Sequence, residues 1–190
     1  MRLIRRVTEH ARNHEPARIV AKMNSLCDKE IIASLYEASA AGVEIDLVIR
    51  GICCLKTGIP GISETIHVRS IVGNFLEHAR IFYFRNGGNE EFYMGSADWM
   101  PRNLDKRVEI MFPVEDPVLR EKVRHILQVQ LDDNVKAHIL QPSGIYEKID
   151  KRGKVLVNAQ ETFCEEAISA AKTQAETVSN RVFIPLESEE

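Results

Sequence analysis

Apolar positions along the 190-residue chain recur with two periods, one helical and one alternating. Leu3, Val7 and Ala11 stand at helical spacing with arginines between them, and Pro16 closes the segment, so residues 2–14 are predicted to form a short helix. It reads as a connector (1–16) ahead of the main unit (17–178). Residues 18–25 read as a strand ending in polar side chains. Asp28 suits an N-cap, Ile31, Ile32, Leu35 and Ala38 line one helical face, and Gly42 falls where a C′ glycine stops a helix. Residues 43–50 form the next strand, so strand–helix–strand predicts a parallel βαβ unit. Residues 51–66, with Gly51, Gly58, Pro60 and Gly61, read as a long loop of the functional or mobile kind. A short strand over 67–72 is expected to lead into a turn of helix toward His78.

The richest stretch runs from Ser70 to Glu109. Residues 80–84 alternate, Phe92-Tyr93-Met94 follows, and Asn86-Gly87-Gly88 between them supplies the positive φ of a tight hairpin turn. Such a hairpin returns the Ser96–Asp98 end of one strand to the His78 end of the other. Beyond it, residues 107–114 alternate as a further strand. Asp116-Pro117 starts a helix striped by Leu119, Val123, Ile126, Leu127 and Leu131. Residues 133–157 are polar, with a short paired segment expected at 154–157. Asn158 and Glu161 fit a capping arrangement for a last helix carrying Phe163, Ala167 and Ala171. The tail, 179–190, is expected to be disordered.

Composition narrows the classes. The length suits one domain, and 44% apolar with 28% charged residues is ordinary for a globular protein. A net charge of −3 gives no basic field for nucleic acid. No run approaches a membrane span, and no secretory signal is visible. The four cysteines, Cys27, Cys53, Cys54 and Cys164, lack C-x-x-C spacing and read as small apolar residues of a reduced, cytoplasmic protein.

The candidate chemistry gathers at strand ends, where open α/β sheets bind ligands. Arg50 offers a permanently charged fork suited to phosphate oxygens. His78 is the candidate catalytic group, able to handle a proton near neutrality. Lys22, Asn24, Ser96, Arg102 and Asn103 are further donors on the same edge. Asp98 is a candidate to orient His78 or to help hold a hydrated metal ion. Trp99 reads as a core plug, and His10, His14, His67, His125 and His138 as surface or packing residues without a partner pattern.

Ala21-Lys22-Met23-Asn24-Ser25-Leu26, Ile49-Arg50-Gly51-Ile52-Cys53-Cys54-Leu55, Ser70-Ile71-Val72 through His78, and Ser96-Ala97-Asp98-Trp99-Met100 with Arg102-Asn103-Leu104-Asp105 resemble the C-terminal catalytic domain of the bacterial polyphosphate kinase family. The resemblance spans about Leu3 to Ala171. It implies an α/β, phospholipase-D-like mixed sheet flanked by helices, in a single domain. It also implies reversible transfer of the terminal phosphate of ATP to inorganic polyphosphate, through a phosphohistidine and with Mg²⁺. His78 matches the family's second histidine and Arg50 an arginine on the nucleotide phosphates. The histidine that the family phosphorylates belongs to a domain ahead of this one and has no counterpart here. The implied partners are ATP or ADP, polyphosphate, upstream domains of the same polypeptide and further copies in a homo-oligomer, with no nucleic acid. No residue is assigned to a metal, and peripheral attachment at the inner membrane is a further implication.

Two other readings stand beside this one. A phospholipase-D-type phosphodiesterase or nuclease half-site needs H-x-K-x4-D, and here Arg80 replaces the lysine and Arg85 the aspartate. A non-catalytic module that binds nucleotide or polyphosphate is what the isolated chain is expected to show.

Overall fold

The computed structural model describes residues 1–179; the expected disordered tail lies, from residue 180 on, outside the described residues. Among the described residues, five helices and eight strands follow one another as α1 (Arg2–Arg12), β1 (Ala17–Met23), α2 (Lys29–Ala40), β2 (Glu44–Ile49), β3 (Ile66–Ile71), β4 (Arg80–Asn86), β5 (Asn89–Gly95), α3 (Pro101–Lys106), β6 (Met111–Pro113), α4 (Pro117–Asp132), β7 (Ala137–Leu140), β8 (Tyr146–Lys148) and α5 (Ala159–Ser179). The strands make one sheet in the order β6-β5-β4-β1-β2-β3-β7-β8. Only β1–β2 and β2–β3 are parallel, and every other pairing is antiparallel. This is the mixed α/β sheet flanked by helices that the resemblance implies.

Alternation along β1 divides the domain into two layers. Ile19, Ala21 and Met23 face the layer of α1 and α2, in a core with Ile4, Val7, Leu35 and Leu47. Val20 faces the other way, with Ile81, Phe92, Val123 and Leu127 under α4. Helix α1, expected as a connector, therefore contributes two fully buried side chains to the main core. Asp28 caps α2 by accepting from the Ile31 amide at 2.9 Å, and Gly42 follows at a φ of +90°, as its position suggests.

The antiparallel pairing of β4 with β1 puts the start of β4 beside the end of β1, with Lys22 opposite Ile81. The hairpin closes on Gly87 and Gly88, at φ of +57° and +92°, with Asn86 paired to Asn89. The ends of β1, β2 and β5 and the start of β4 thus share one edge of the sheet.

Several local expectations are corrected. Residues 72–79 form no helical turn, because the Phe75 amide and carbonyl bond to the Gln160 side chain instead of to a helix. The strand expected over 107–114 shrinks to Met111–Pro113, because Ser96 Oγ takes the Ile110 amide and the chain before it bends toward the sheet edge. Gly95 allows that approach: a Cβ there would stand 2.6 Å from the Ile110 oxygen. Pairing falls on 137–140 with 146–148 rather than on 154–157, whose Val155 is 84% exposed. Within the 51–66 loop, Leu55 is buried and Thr57 Oγ1 donates to the Leu140 carbonyl at 3.1 Å, and Ile66 already belongs to β3. Leu119, in the first turn of α4, is exposed, and burial along that helix begins a turn later at Val123. Ala167 and Ala171 are exposed as well, so of the expected α5 face only Phe163 is half-buried. No described helix is long and apolar enough to cross a membrane.

Asn158 does not cap α5. That task falls to Asp133, fully buried at the end of α4, whose Oδ2 accepts from the Ala159 amide at 2.8 Å. Its Oδ1 accepts from the amides of Val135, Lys136 and Ala137 at 3.0, 2.8 and 3.0 Å. One carboxylate thus organises the α4–β7 turn and the α5 start together. Asp133→Ala is expected to lower stability by about 3 kcal/mol or more, since it strands several buried amides. Urea unfolding measures this, and a loss below about 1 kcal/mol would contradict the role.

Candidate functional site

A cleft of about 400 Å³ opens at the shared sheet edge, lined by Asn24, Ser25, Arg50, His78, Arg80, Ser96, Asp98, Arg102, Asn103, Arg107 and Glu109. Each element delivers its part by ending there. Asn24 and Ser25 follow β1, Arg50 follows β2, His78 and Arg80 meet at the start of β4, and Ser96 and Asp98 follow β5. Helix α3, with Pro101 in its first turn, adds Arg102 and Asn103.

Asp98 is the junction. It is 4% exposed, and its Oδ1 accepts from the Asn24 amide at 2.8 Å, from Asn24 Nδ2 at 3.2 Å and from Arg80 Nε at 3.1 Å. Its Oδ2 accepts from the Arg80 guanidinium at 3.2 Å. Burial pushes the Asp98 carboxyl up, but the Arg80 bonds and charge and the Asn24 donors outweigh it, so its pKa lies below 3.8. Arg80 in turn donates to the His78 carbonyl at 2.8 Å and stands 3.0 Å from His78 Nε2. Asp98 therefore orients His78 through Arg80 and not directly. Beneath the turn, Trp99 stacks on Phe82 with centroids 5.3 Å apart, the core plug expected.

On the far wall Glu109 accepts from Ser96 Oγ and, at 2.6 Å, from Asn103 Nδ2. These bonds, together with Arg107 nearby, hold its pKa below the ordinary 4.5. The cleft's carboxylates are thus already engaged. Among the described residues, the Arg50 and Arg102 guanidinium groups have no hydrogen bond and no carboxylate partner within salt-bridge distance. Unpaired cations beside an exposed imidazole form a pocket suited to a multiply charged oxyanion.

The structure brings Arg50, His78, Asn24, Ser96, Arg102 and Asn103 into this one cleft. Lys22 does not line it. Lys22 shares the β1 face of Val20, is 4% exposed, and pairs with Glu77 at 3.2 Å. Burial lowers its pKa against the raising effect of Glu77, and Arg50 and Arg80 lower it further. Arg80, Arg107 and Glu109 were not singled out as site residues by sequence reasoning. Arg80 carries a local signal, since two residues after His78 on a strand start it shares an edge with it, whereas Glu109 is brought in only by the return of β6. Of the histidines expected to lack partners, His10 meets Glu15 and His125 lies 2.7 Å from Glu166, both at the surface.

A family profile described as polyphosphate kinase C-terminal domain 2 matches residues 1–160. The chain belongs to the polyphosphate kinase family. A polyphosphate kinase of Thermosynechococcus vestitus is 56% identical over 148 residues, which are 78% of this chain and 20% of that protein. The crystal structure of polyphosphate kinase from Porphyromonas gingivalis superposes with a TM-score of 0.85 at 42% identity, over 90% of this chain and 26% of that one. The chain thus spans about a fifth to a quarter of these relatives. NucT from Helicobacter pylori, with a TM-score of 0.51 at 11% identity over 69% of this chain and 86% of that one, shares the fold alone.

Asp98→Asn is expected to destabilise the domain at neutral pH by weakening the Arg80 and Asn24 bonds. A carboxyl whose folded pKa is depressed stabilises above its unfolded pKa and loses that contribution as pH falls through the folded value. The stability difference between wild type and Asp98→Asn should therefore shrink as pH drops below 3.8. Urea midpoints at pH 6 and pH 3 check this, and a difference independent of pH would contradict it.

Proposed function

We propose that this chain provides part of the nucleotide and phosphate site for reversible transfer of the terminal phosphate of ATP to inorganic polyphosphate. The observation that carries this reading is the pair of unpartnered guanidinium groups, Arg50 and Arg102, sharing one cleft with His78. Phosphoryl transfer is largely positioning and charge stabilisation, and fixed cations around the phosphates supply both. In this reading Arg50 and Arg102 bind phosphate oxygens, while Asn24 and Ser96 add neutral donors. His78, held by Arg80, donates a proton or hydrogen bond to an oxygen of the moving phosphoryl group and withdraws it in the reverse reaction.

Longer relatives would supply the remainder. The resemblance assigns the phosphoacceptor histidine to a domain preceding this one, so the upstream domains are the chief partner, and homo-oligomeric assembly of the longer enzyme is part of the same reading. The resemblance implies Mg²⁺ in the reaction, and among the described residues no group of three or more His, Cys, Asp or Glu side chains could hold a metal. Asp98 is committed to Arg80 and Asn24, and Glu109 to Ser96 and Asn103. Neither cleft carboxylate is therefore left free of protein donors to hold a Mg²⁺ ion.

The phosphodiesterase reading gains nothing from the geometry. Arg80, at the signature's lysine position, is tied to Asp98, and Arg85, at its aspartate position, lines a separate pocket with Arg18, Glu90 and Arg124.

Incubated with labelled ATP, Mg²⁺ and polyphosphate, this 190-residue chain should give no elongation; robust turnover would overturn the division of labour. ATP binding measured by calorimetry should weaken on Arg50→Ala by about 1.5–3 kcal/mol, the size of a charged hydrogen bond. An unchanged affinity would remove Arg50 from the site. In a full-length relative, alanine at the position of His78 should depress kcat far more than it raises KM for ATP, as a contact made in the transition state does.

A further inference from the structure

His78 stands next to last in a strap, residues 72–79, that belongs to no helix or strand. The backbone bonds of the strap go to side chains: Arg80 donates to the His78 carbonyl, Lys22 to the Ala79 carbonyl, and both bonds of Phe75 go to Gln160. Gln160, in the first turn of α5 and 7% exposed, accepts from the Phe75 amide at 3.0 Å and donates to the Phe75 carbonyl at 2.9 Å. That is the two-way pairing a neighbouring strand would offer. The same Gln160 nitrogen donates to Glu77 Oε1 at 3.0 Å. The other oxygen of Glu77 accepts from Gln130 Nε2 at 2.5 Å and lies 3.2 Å from the buried Lys22 ammonium. Gly73 makes room for this contact: a Cβ there would stand 2.3 Å from Gln160 Oε1 and 2.7 Å from its Cδ. Its φ lies outside the left-handed region, so close approach alone accounts for the glycine.

The residue after this knot is His78. Arg80 holds the imidazole from the strand side, and Glu77, fixed by three partners, holds its backbone from the strap side. We propose that Gln160 is a positioning residue for His78, and that α5, which adds no side chain to the phosphate cleft, sets the placement of the imidazole through it. The significance of this placement rests on the phosphate-site reading above, but the placement itself can be measured without any ligand. A side chain that engages both backbone groups of one residue fixes the local chain direction, and the Glu77 carboxylate at the centre of the network has both of its oxygens engaged. Loss of Gln160 strands the Phe75 amide and carbonyl and one Glu77 oxygen, and the strap then opens locally rather than with the whole domain.

The test uses this chain, isotope-labelled, as wild type, Gln160→Ala, Gly73→Ala and the double variant. In each single variant, amide exchange at Phe75 should quicken by about tenfold or more. The ring Cε1–H signal of His78 should shift, while that of His10, beside the hairpin turn at the opposite end of β4, should not. Gly73→Ala should add almost nothing in the Gln160→Ala background, since the atoms its methyl would strike are gone. Should Gln160→Ala not fold, Gln160→Glu keeps an acceptor for the Phe75 amide but sets a carboxylate against Glu77, and the same His78 shift is expected. An unmoved His78 signal in the folded variants, or simple additivity in the double variant, overturns the proposal. Titration with inorganic tripolyphosphate separates the two readings. If His78→Ala leaves its affinity unchanged, the phosphate role of His78 falls while the ring signal still decides the positioning role.

Discussion

The site depends on one buried carboxylate. Asp98 accepts from the backbone and side chain of Asn24 and from two nitrogens of Arg80, so it joins the end of β1, the start of β4 and the end of β5 at a single point. A buried charge is tolerated only when its acceptor capacity is filled by well-placed donors. That requirement fixes the relative position of three strand ends more tightly than sheet pairing alone would. Arg80, neutralised by Asp98, serves as a rigid arm that holds His78 and leaves the cleft's uncompensated positive charge to Arg50 and Arg102. The cleft is thus preorganised for an anion by the way its carboxylates are consumed.

Much of the frame was legible in the chain. Period-two and period-3.6 patterns, the Asp28 and Asp116 caps and the Gly87-Gly88 turn each specify local structure, and the structure keeps them. The hairpin argument, that His78 and Ser96–Asp98 must share an edge, needed only the turn and the strand lengths. Other features lie beyond local reading because a distant side chain replaces backbone pairing. Gln160 substitutes for a strand beside Phe75, Ser96 Oγ substitutes for a ladder partner at Ile110, and Asp133 caps a helix 26 residues away. None of these leaves a mark in sequence spacing. Lys22 shows the limit from the other side: its place near a strand end suggested the cleft, but its β1 face and the facing Glu77 draw it beneath α4.

The α4 face of the sheet and its cleft edge carry different electrostatics. On the α4 side, Arg124 donates to both oxygens of Glu90 at 3.0 and 2.8 Å and lies 5.0 Å above the Phe92 ring. The Arg124 and Tyr83 bonds pull the Glu90 carboxyl down to about 2. That arginine is therefore spoken for, and its pocket is a structural ion pair. At the cleft the arrangement is inverted, with arginines left open and acids occupied. This contrast, more than the number of charges, separates the proposed phosphate-binding edge from a merely charged surface.

The most direct measurement of this account is a chemical-shift map of the labelled chain titrated with inorganic tripolyphosphate. Perturbations are expected at the side chains of Arg50, His78 and Arg102 and at the Asn24 and Ser96 amides, all in one saturable step. Perturbations centred instead on Arg18, Arg85 and Arg124, or spread over surface lysines without saturation, would contradict it.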